Sequence, residues 1–466
     1  MIIREIDWRS PLAAFAPLAE TPWAALLHAG EGAREPGWSV IAAAPAARLE
    51  ARGTQAFVDG ARVAAAPFEA LAALHGARRR APAERTAFSA SPPPFLTGLI
   101  GFVGYEMGGV LDPAASGPAS PFLLPDMGFA AYDAAALFDR AEQRLFIASA
   151  NAETGDRLEA MLGVDEPSGA AGAAFSDPQS NFTAKAYREM VAAIVELIRD
   201  GALFQANVAQ HLSASAKGGS AFDIFRHLAE GDAPFGAYLQ YRDGSILSDS
   251  PERFFKITPE AAAPDQVGGR ILAEPVKGTR PRGEGAAADR RLAAELIADP
   301  KERAENIMIA DLMRNDLSKI CRDGSIREEA ICALSTTSHV HHLVSRISGI
   351  LREAVTPVDA LEALFPCGSI TGAPKIEAMK TIAAFERIGR GPYCGAIGYI
   401  GDDGAADFAV AIRTMIIEKS GEGLRAVFPV GGGVTLRSEP EAEYQETLVK
   451  ARGALGALSI GEADVR

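Results

Sequence analysis

The apolar residues of this chain follow two spacings, and the spacing changes from one segment to the next. Residues 183–201 carry apolar side chains every three or four positions, which predicts a helix with Thr183 as N-cap and Gly201 at its end. Residues 125–138 and 203–213 alternate instead and predict strands. The two patterns succeed each other without a regular strand–helix–strand rhythm. We therefore predict an α+β fold with antiparallel sheets and surrounding helices.

Turn-forming pairs and glycines refine this pattern. Asp243 and Gly244 suit a primed turn, which predicts a hairpin over residues 238–247. The segment after this hairpin places Glu252 just past the end of a strand. Residues 98–109 (GLIGFVGYEMGG) are not a dinucleotide fingerprint, because no helix pattern follows them.

A segment rich in Gly, Ala and Ser at residues 167–179 is the candidate domain boundary. It predicts an N-terminal region of residues 1–175, with the character of a scaffold, and a second region of residues 176–466. Most of the candidate chemistry lies in the second region.

Two predicted helices carry paired acids. They cover residues 300–319 and 438–455, and Ser438 with Glu441 forms a possible capping box for the second. The acids that share a face are Glu302 and Glu305 on the first helix, and Glu443 and Glu446, with Lys450, on the second. On either helix alone, the paired acids would be expected to lie on a solvent-exposed face. Two such helices across a cleft could hold Mg²⁺, and the residues alone leave both interpretations open.

Three features could bind an anionic group. Gly431, Gly432 and Gly433 predict a loop whose backbone amides can approach an anion, with a tight turn as the alternative. Arg413 interrupts an apolar strand pattern, so a buried guanidinium there would need an anionic partner, in a salt bridge or in a ligand. Tyr393 could donate its hydroxyl to the same group.

Lys277 lies in residues 274–283 (EPVKGTRPRG), where glycine and proline predict a fixed bend. An amine in such a bend can act as a nucleophile if it is partly desolvated or has a cationic neighbour, which Arg280 or Arg282 could supply. A solvated surface lysine is the alternative.

Further polar groups occur in two short segments. Thr371 offers a hydroxyl in a turn at residues 369–375. The neighbouring histidines His339, His341 and His342 lack a zinc-site spacing, and a structural role is the alternative for each.

Composition narrows the class of protein. The chain has 466 residues, of which 48% are hydrophobic, and 46 basic against 60 acidic residues give a net charge of −14. This balance argues against a nucleic-acid partner, and the short basic run at residues 78–80 predicts a solvated loop. The four cysteines form no C-x-x-C pair, which favours reduced thiols in the cytoplasm. Neither a signal peptide nor a bilayer-spanning stretch is evident, so no membrane partner is expected.

Several motifs taken together are far more specific than any one of them. They are AENIMIADLMRNDL (304–317), HHLVS (341–345), FPCGSITGAPK (365–375), PYCGAIGY (392–399) and EAEYQET (441–447). They resemble the chorismate-utilising enzymes, which include component I of anthranilate synthase, component I of aminodeoxychorismate synthase, isochorismate synthases and salicylate synthases. The resemblance covers residues 182–455, and extends more weakly through PWAALLHAG (22–30), GFVGYEMG (101–108) and LPDMGFAAYD (124–133). It implies a two-layer sandwich with a central cleft, like that of anthranilate synthase component I.

The resemblance implies a role for each acidic candidate and its neighbours. Glu305 and Glu446 would hold Mg²⁺, with Glu302 and Glu443 close by. The metal would sit on the ring carboxylate of chorismate, which Lys450 and the three glycines at 431–433 would also hold.

The resemblance also implies roles around the rest of the substrate. Arg413 and Tyr393 would bind the enolpyruvyl carboxylate. His342 and Thr371 would lie near the ring hydroxyl. Glu252 would be the general acid that protonates the departing C4 hydroxyl.

Two positions distinguish the members of the family. Gln205 stands where isochorismate and salicylate enzymes carry a lysine that activates water, and an amide cannot act as that base. Anthranilate synthases read Pro-Ile-Ala-Gly where aminodeoxychorismate synthases read Pro-Ile-Lys-Gly, and this chain reads PVKG with Lys277. The resemblance thus implies amination of chorismate at C4 through a covalent Lys277 adduct, on the way to p-aminobenzoate and folate. The alternatives are an anthranilate synthase component I, an isochorismate-forming isomerase, and a chorismate-binding or regulatory protein without catalytic activity.

The ammonia is expected to be supplied by a different polypeptide chain. No G-x-C-x-G elbow surrounds a cysteine, so the resemblance implies a separate glutamine amidotransferase subunit as partner. The chain also ends too soon for a fused lyase, so it is expected to stop at 4-amino-4-deoxychorismate. In some relatives the N-terminal region binds tryptophan, and residues 28–30 lack the serine that often follows there in the family.

Overall fold

The computed structural model describes residues 1–30, 37–80, 92–164, 173–259, 269–337, 340–421 and 423–460. The strands in chain order are β1 (Ile2–Ile6), β2 (Ala25–His28), β3 (Trp38–Ala42), β4 (Ala47–Arg52), β5 (Gln55–Val58), β6 (Ala61–Val63), β7 (Gly98–Val103), β8 (Met127–Tyr132), β9 (Ala134–Asp139), β10 (Arg144–Ser149), β11 (Gln179–Ser180), β12 (Gln205–Lys217), β13 (Phe235–Gln240), β14 (Gly244–Ser250), β15 (Arg253–Pro259), β16 (Gly269–Glu274), β17 (Val276–Pro281), β18 (Arg327–Thr336), β19 (Val340–Ile350), β20 (Gly372–Ala373), β21 (Ala396–Gly401), β22 (Ala406–Val410), β23 (Thr414–Ser420) and β24 (Gly423–Val434). The helices are α1 (Pro11–Phe15), α2 (Pro67–Gly76), α3 (Met107–Leu111), α4 (Ala152–Met161), α5 (Ala184–Arg199), α6 (Ala221–Leu228), α7 (Ala286–Ala298), α8 (Pro300–Ser318), α9 (Pro357–Leu364), α10 (Lys375–Glu386) and α11 (Pro440–Ala457).

These strands form two antiparallel sheets, each with twelve strands among the described residues. The first sheet runs β1-β10-β9-β3-β2-β13-β14-β23-β24-β12-β11, with β20 beside β12. The second runs β17-β19-β16-β15-β22-β21-β7-β8-β4-β5-β6, with β18 beside β19. The prediction of an α+β fold with antiparallel sheets is confirmed.

The two sheets pack face to face as a sandwich. Its inner core combines side chains of both sheets, such as Phe102 and Tyr132 of the second with Leu137, Leu239 and Ile416 of the first. Helices α1, α4, α6 and α11 cover apolar side chains of the first sheet, and α5, α8, α9 and α10 belong to a larger core that includes the second. Within the described part of the chain, no helix is both long and apolar enough to cross a membrane.

Local signals predicted several elements well. The Thr183 side chain accepts a hydrogen bond from the Ala186 amide and caps α5 as predicted. β13 and β14 form the predicted hairpin. Its predicted primed turn is wrong, because Asp243 and Gly244 have no positive φ and Gly244 is already the first residue of β14.

The capping box predicted for α11 is also wrong. The helix begins at Pro440, and Glu439 is its N-cap without a side-chain hydrogen bond. Ser438 lies one position too early to cap, and its hydroxyl instead donates to Glu443 Oε1 at 2.6 Å. The serine therefore orients an acid of the candidate site.

Residues on both sides of position 175 contribute strands to each sheet. The predicted division there stays a prediction, and part of its boundary segment, residues 165–172, lies outside the described residues. The basic run at 78–80 is not simply solvated. Arg78 forms ion pairs with Asp402 at 3.0 Å and Asp133 at 2.9 Å, and so ties α2 to the second sheet.

Candidate active site

The candidate residues gather where a short segment, residues 367–373, joins the two sheets. Ala373 in β20 pairs with Gln205 at the start of β12, in the first sheet. The Lys277 Nζ of β17, in the second sheet, donates to the Ser369 carbonyl at 2.9 Å. Helices α8 and α11 pack against β17 and β24 respectively, so their acidic faces border the same region.

Lys277 lies in an edge strand rather than in a free bend. β17 pairs with β19, and a bulge falls between Lys277 and Thr279, where Gly278 has a φ of +77°. The predicted cationic neighbours have other partners. Arg280 pairs with Asp299 at 2.8 Å, and Arg282 pairs with Asp289 at 2.7 Å. The half-buried Lys277 amine is instead fixed by a carbonyl.

Glu252 lies buried between β14 and β15, and its carboxyl faces the Lys277 strand. Glu252 Oε1 accepts from the Val276 amide at 3.4 Å, and the Ser369 side chain lies close enough to lower the pKa of this carboxyl. Burial raises the pKa of Glu252, and the nearby Lys277 charge only partly opposes this effect. A carboxyl of this kind keeps its proton to higher pH and suits a general acid.

The paired acids of α8 and α11 face each other. Burial raises the pKa of Glu305, and the charges of Glu302 and Glu443 add to the effect against those of Lys277 and Lys301. Glu305 Oε1 is buried and has no hydrogen-bond partner among the described residues. Burial also raises the pKa of Glu443, and Glu446 adds to it.

This arrangement fits a cation held by few protein ligands. Among the residues that the structure describes, no three or more His, Cys, Asp or Glu side chains form a complete metal-ligand group. Mg²⁺ is commonly bound by one or two carboxylates, several waters and an anionic substrate. Glu305 Oε1 has only a long ion pair, at 3.9 Å from Lys301 Nζ, and faces a second acidic helix. Two such carboxylates can supply the few protein ligands that Mg²⁺ needs.

The glycines at 431–433 are not a loop. They belong to β24, because its pairing with β12 continues to Val434. A Cβ on Gly432 would lie 3.1 Å from Glu443 Oε2, and one on Gly433 would lie 2.4 Å from Gln205 Nε2. Glycine at these positions therefore leaves space for the acids on one face of the strand and for the amide on the other.

Lys450 binds both this strand and an acid of its own helix. Its Nζ donates to the Gly431 carbonyl at 2.9 Å and pairs with Glu446 Oε1 at 2.7 Å. The amine thereby lies at the junction of β24 and α11.

The segments that contain Tyr393 and Arg413 lie beside Glu252. The Cys394 amide donates to the Ala411 carbonyl at 2.8 Å, and the Val410 amide donates to the Glu252 carbonyl at 3.0 Å. Tyr393 is buried, with its ring centroid 5.8 Å from the Arg390 guanidinium.

The expectation of a buried Arg413 is wrong. Its side chain is exposed, and its backbone has a φ of +49° in the turn between β22 and β23. Desolvation by the surrounding protein nevertheless lowers the pKa of Arg413, with Asp249 opposing the shift. An exposed guanidinium at this turn is accessible to an anionic ligand.

The remaining candidates make contacts within the protein. His342 Nδ1 lies 3.0 Å from Thr279 Oγ1 and 3.3 Å from the Gly278 carbonyl, next to the bulge of β17. Thr371 is buried, and its hydroxyl donates to the Cys367 carbonyl at 2.8 Å. His341 pairs with Asp289, whereas His339 lies outside the described residues.

Sequence reasoning missed Ser369 and the environment of Gln205. The Ser369 motif was recognised, but the contacts of this serine with two candidate residues arise from pairing between distant segments. Gln205 is fully buried, and neither its Oε1 nor its Nε2 has a hydrogen-bond partner among the described residues. A buried amide without partners destabilises the protein unless water or a ligand satisfies it.

Gln205→Met is expected to raise the free energy of unfolding by about 1–2 kcal/mol in the absence of substrate, because the thioether leaves no buried amide unsatisfied. Urea unfolding measures the change. Gln240→Met is the matched control, since the buried Gln240 amide donates to the Tyr241 carbonyl at 2.8 Å, and its loss should lower stability. Equal destabilisation by both substitutions would mean that the Gln205 amide is satisfied in solution.

A cavity of about 170 Å³ lies between the sheets beside this site. His28 and Ala29 line it from the first sheet, and Val276 and His342 line it from the second. His28 and Ala29 belong to the segment at which some relatives bind tryptophan and which lacks the family's serine here.

Comparison with known proteins identifies the same family along almost the whole chain. Residues 24–456 match the family model described as chorismate binding enzyme. The chain is 33% identical to anthranilate synthase component 1 of Thermus thermophilus, over 98% of this chain and 97% of that protein. It is 34% identical to aminodeoxychorismate synthase component 1 of Salmonella typhimurium, over 97% of both. The crystal structure of anthranilate synthase component I from Streptococcus pneumoniae superposes with a TM-score of 0.75 at 27% identity, covering 90% of this chain and 92% of that one.

Proposed function

The chain belongs to the chorismate-binding enzymes, and we propose that within this family it aminates chorismate at C4, as component I of an aminodeoxychorismate synthase. The two relatives above are almost equally similar overall, so total identity does not choose between amination at C2 and at C4. The observation that carries the proposal is the Lys277 amine, held beside the buried Glu252 carboxyl by residues of one segment. An anthranilate synthase component I needs no nucleophile at this position.

The proposed reaction uses these two groups in sequence. The neutral Lys277 amine attacks C2 of chorismate while Glu252 protonates the C4 hydroxyl, which leaves as water as both conjugated ring double bonds shift toward C4. Ammonia then adds at C4, both double bonds shift back, and the Lys277 amine leaves C2. The product is 4-amino-4-deoxychorismate, a precursor of p-aminobenzoate and folate.

The remaining candidates would bind and orient the substrate. Lys450 and the β24 glycines at 431–433 would hold the ring carboxylate. Arg413, which is exposed, and Tyr393 would hold the enolpyruvyl carboxylate. His342 and Thr371 would lie near the ring hydroxyl.

Mg²⁺ would be held by Glu305 and Glu446, with Glu302 and Glu443 beside them. The Glu305 oxygen, which has no hydrogen-bond partner among the described residues, and the space left by Gly432 support this assignment. When bound, Mg²⁺ would offset the negative charge of the ring carboxylate and orient the ring.

Glu305→Gln and Glu446→Gln are each expected to weaken Mg²⁺ binding at least about tenfold, because an amide oxygen carries no net charge. Calorimetric titration of Mg²⁺ into the protein with chorismate present measures this directly. Glu441→Gln is the control, since Glu441 lies on α11 but pairs with Arg188. Unchanged Mg²⁺ affinity in both site variants would contradict the assignment.

The ammonia would come from a separate glutamine amidotransferase subunit in the cytoplasm. Both curated relatives above bear the designation component 1. No nucleic-acid or membrane partner is proposed.

The test mixes the purified protein with chorismate, Mg²⁺ and an ammonium salt at mildly alkaline pH and identifies the products by mass spectrometry. A separate aminodeoxychorismate lyase is added to half of each sample. An amine at C4, with p-aminobenzoate formed only when the lyase is present, supports the proposal. Formation of anthranilate would overturn it in favour of amination at C2.

A further inference from the structure

Ser369 contacts both reacting groups of the proposed site. Its carbonyl accepts from Lys277 Nζ at 2.9 Å. Its side chain lies close enough to the Glu252 carboxyl to lower the pKa of that group, and Cys367 Sγ lies 3.3 Å from its Oγ. Ser369 itself is fully buried, so water does not compete for these contacts.

The short helical turn that holds Ser369 is itself anchored to the first sheet. The Asn207 amide of β12 donates to the Thr371 carbonyl at 2.9 Å, and the Thr371 hydroxyl donates to the Cys367 carbonyl at 2.8 Å. Ser369 therefore has a fixed position from which it reaches Lys277 on the edge strand of the other sheet.

We propose that Ser369 is a positioning residue, which sets the Lys277 nucleophile and the Glu252 acid at a fixed separation across the substrate ring. This inference rests on the proposed function. Attack at C2 and protonation at C4 have to occur on one bound ring, so both groups must be held in register with it. A hydroxyl can donate to a carboxylate and accept from a carboxylic acid, so the contact persists in both protonation states of Glu252.

Ser369→Ala is expected to lower chorismate turnover about tenfold and to move the alkaline limb of the pH–rate profile to higher pH. The Ser369 hydrogen bond lowers the pKa of Glu252 against the effect of burial, so its loss raises that pKa further. The acid form of Glu252 then persists to higher pH. Other charges that act on this carboxyl, from Lys277 and Lys450, remain in the variant.

Ser369→Thr retains the hydroxyl and should restore the wild-type limb, and this pair of variants separates positioning from folding. Ser245→Ala is the matched control, because Ser245 is also buried and donates to Gln240 at 2.6 Å, outside the site. That variant should leave the limb unchanged. A wild-type limb in Ser369→Ala, or the same limb in the alanine and threonine variants, would overturn the proposal.

Product identity keeps this test separate from that of the proposed function. If the wild-type protein forms anthranilate, C4 amination is wrong. The shift of the alkaline limb in the pH–rate profile of Ser369→Ala still tests the role of Ser369 in that case. The C4 hydroxyl must also be protonated and lost when ammonia adds at C2.

Discussion

Lys277→Ala is expected to abolish the covalent enzyme–substrate adduct and to lower formation of 4-amino-4-deoxychorismate by roughly a thousandfold or more. The variant retains the carboxylates, Glu252 and the binding groups but has no amine to attack C2. The half-buried position of Lys277 and its contact with the Ser369 carbonyl give no reason for a large change in stability.

Two measurements check this expectation. Intact-protein mass spectrometry after acid quench detects the adduct, and product analysis reports the rate and the position of the amine. Lys217→Ala is a suitable control, because Lys217 is an exposed residue at the far end of β12. An unchanged rate with the amine still at C4 would rule out the covalent route.

Glu252→Gln is expected to lower turnover by about 10²–10⁴-fold, because the amide preserves the shape of the carboxyl but has no proton to donate. The wild-type rate should fall as pH rises through the pKa of Glu252, which burial raises above the usual range of a glutamic acid. The decrease in rate at alkaline pH that ionisation of Glu252 causes should be absent from the pH–rate profile of the variant.

The folding stability of Glu252→Gln should not fall, although its turnover does. A carboxyl with a raised pKa binds its proton more tightly in the folded than in the unfolded state, so its ionisation destabilises the fold as pH rises between the two pKa values. Glu252→Gln removes that effect and should be at least as stable as the wild type at neutral pH, as thermal unfolding would show. Glu230→Gln, at an exposed position, is the control. A variant with wild-type turnover would exclude Glu252 as the acid.

Much of the secondary structure followed from neighbouring residues alone. The apolar spacing and the Thr183 cap of α5, and the alternation in β8, β9 and β12, are local properties of the chain. The absence of a strand–helix–strand rhythm likewise predicted antiparallel sheets, which the strand pairing confirms. Motifs of a known family then indicated which polar residues to examine, because chemistry needs particular residue types at particular spacings.

Only the tertiary structure determined how those residues are used. Gly431, Gly432 and Gly433 form strand rather than loop because β12, far away in sequence, pairs with them. The exposure of Arg413 and the unsatisfied amide of Gln205 depend on which elements pack around them.

The same holds for the contact that joins Lys277 to Glu252 through Ser369, since three distant segments meet there. Periodicity and capping depend on residues within a few positions of each other. Burial, hydrogen-bond partners and pKa depend on contacts between segments that are remote in the chain, and no local pattern specifies those contacts.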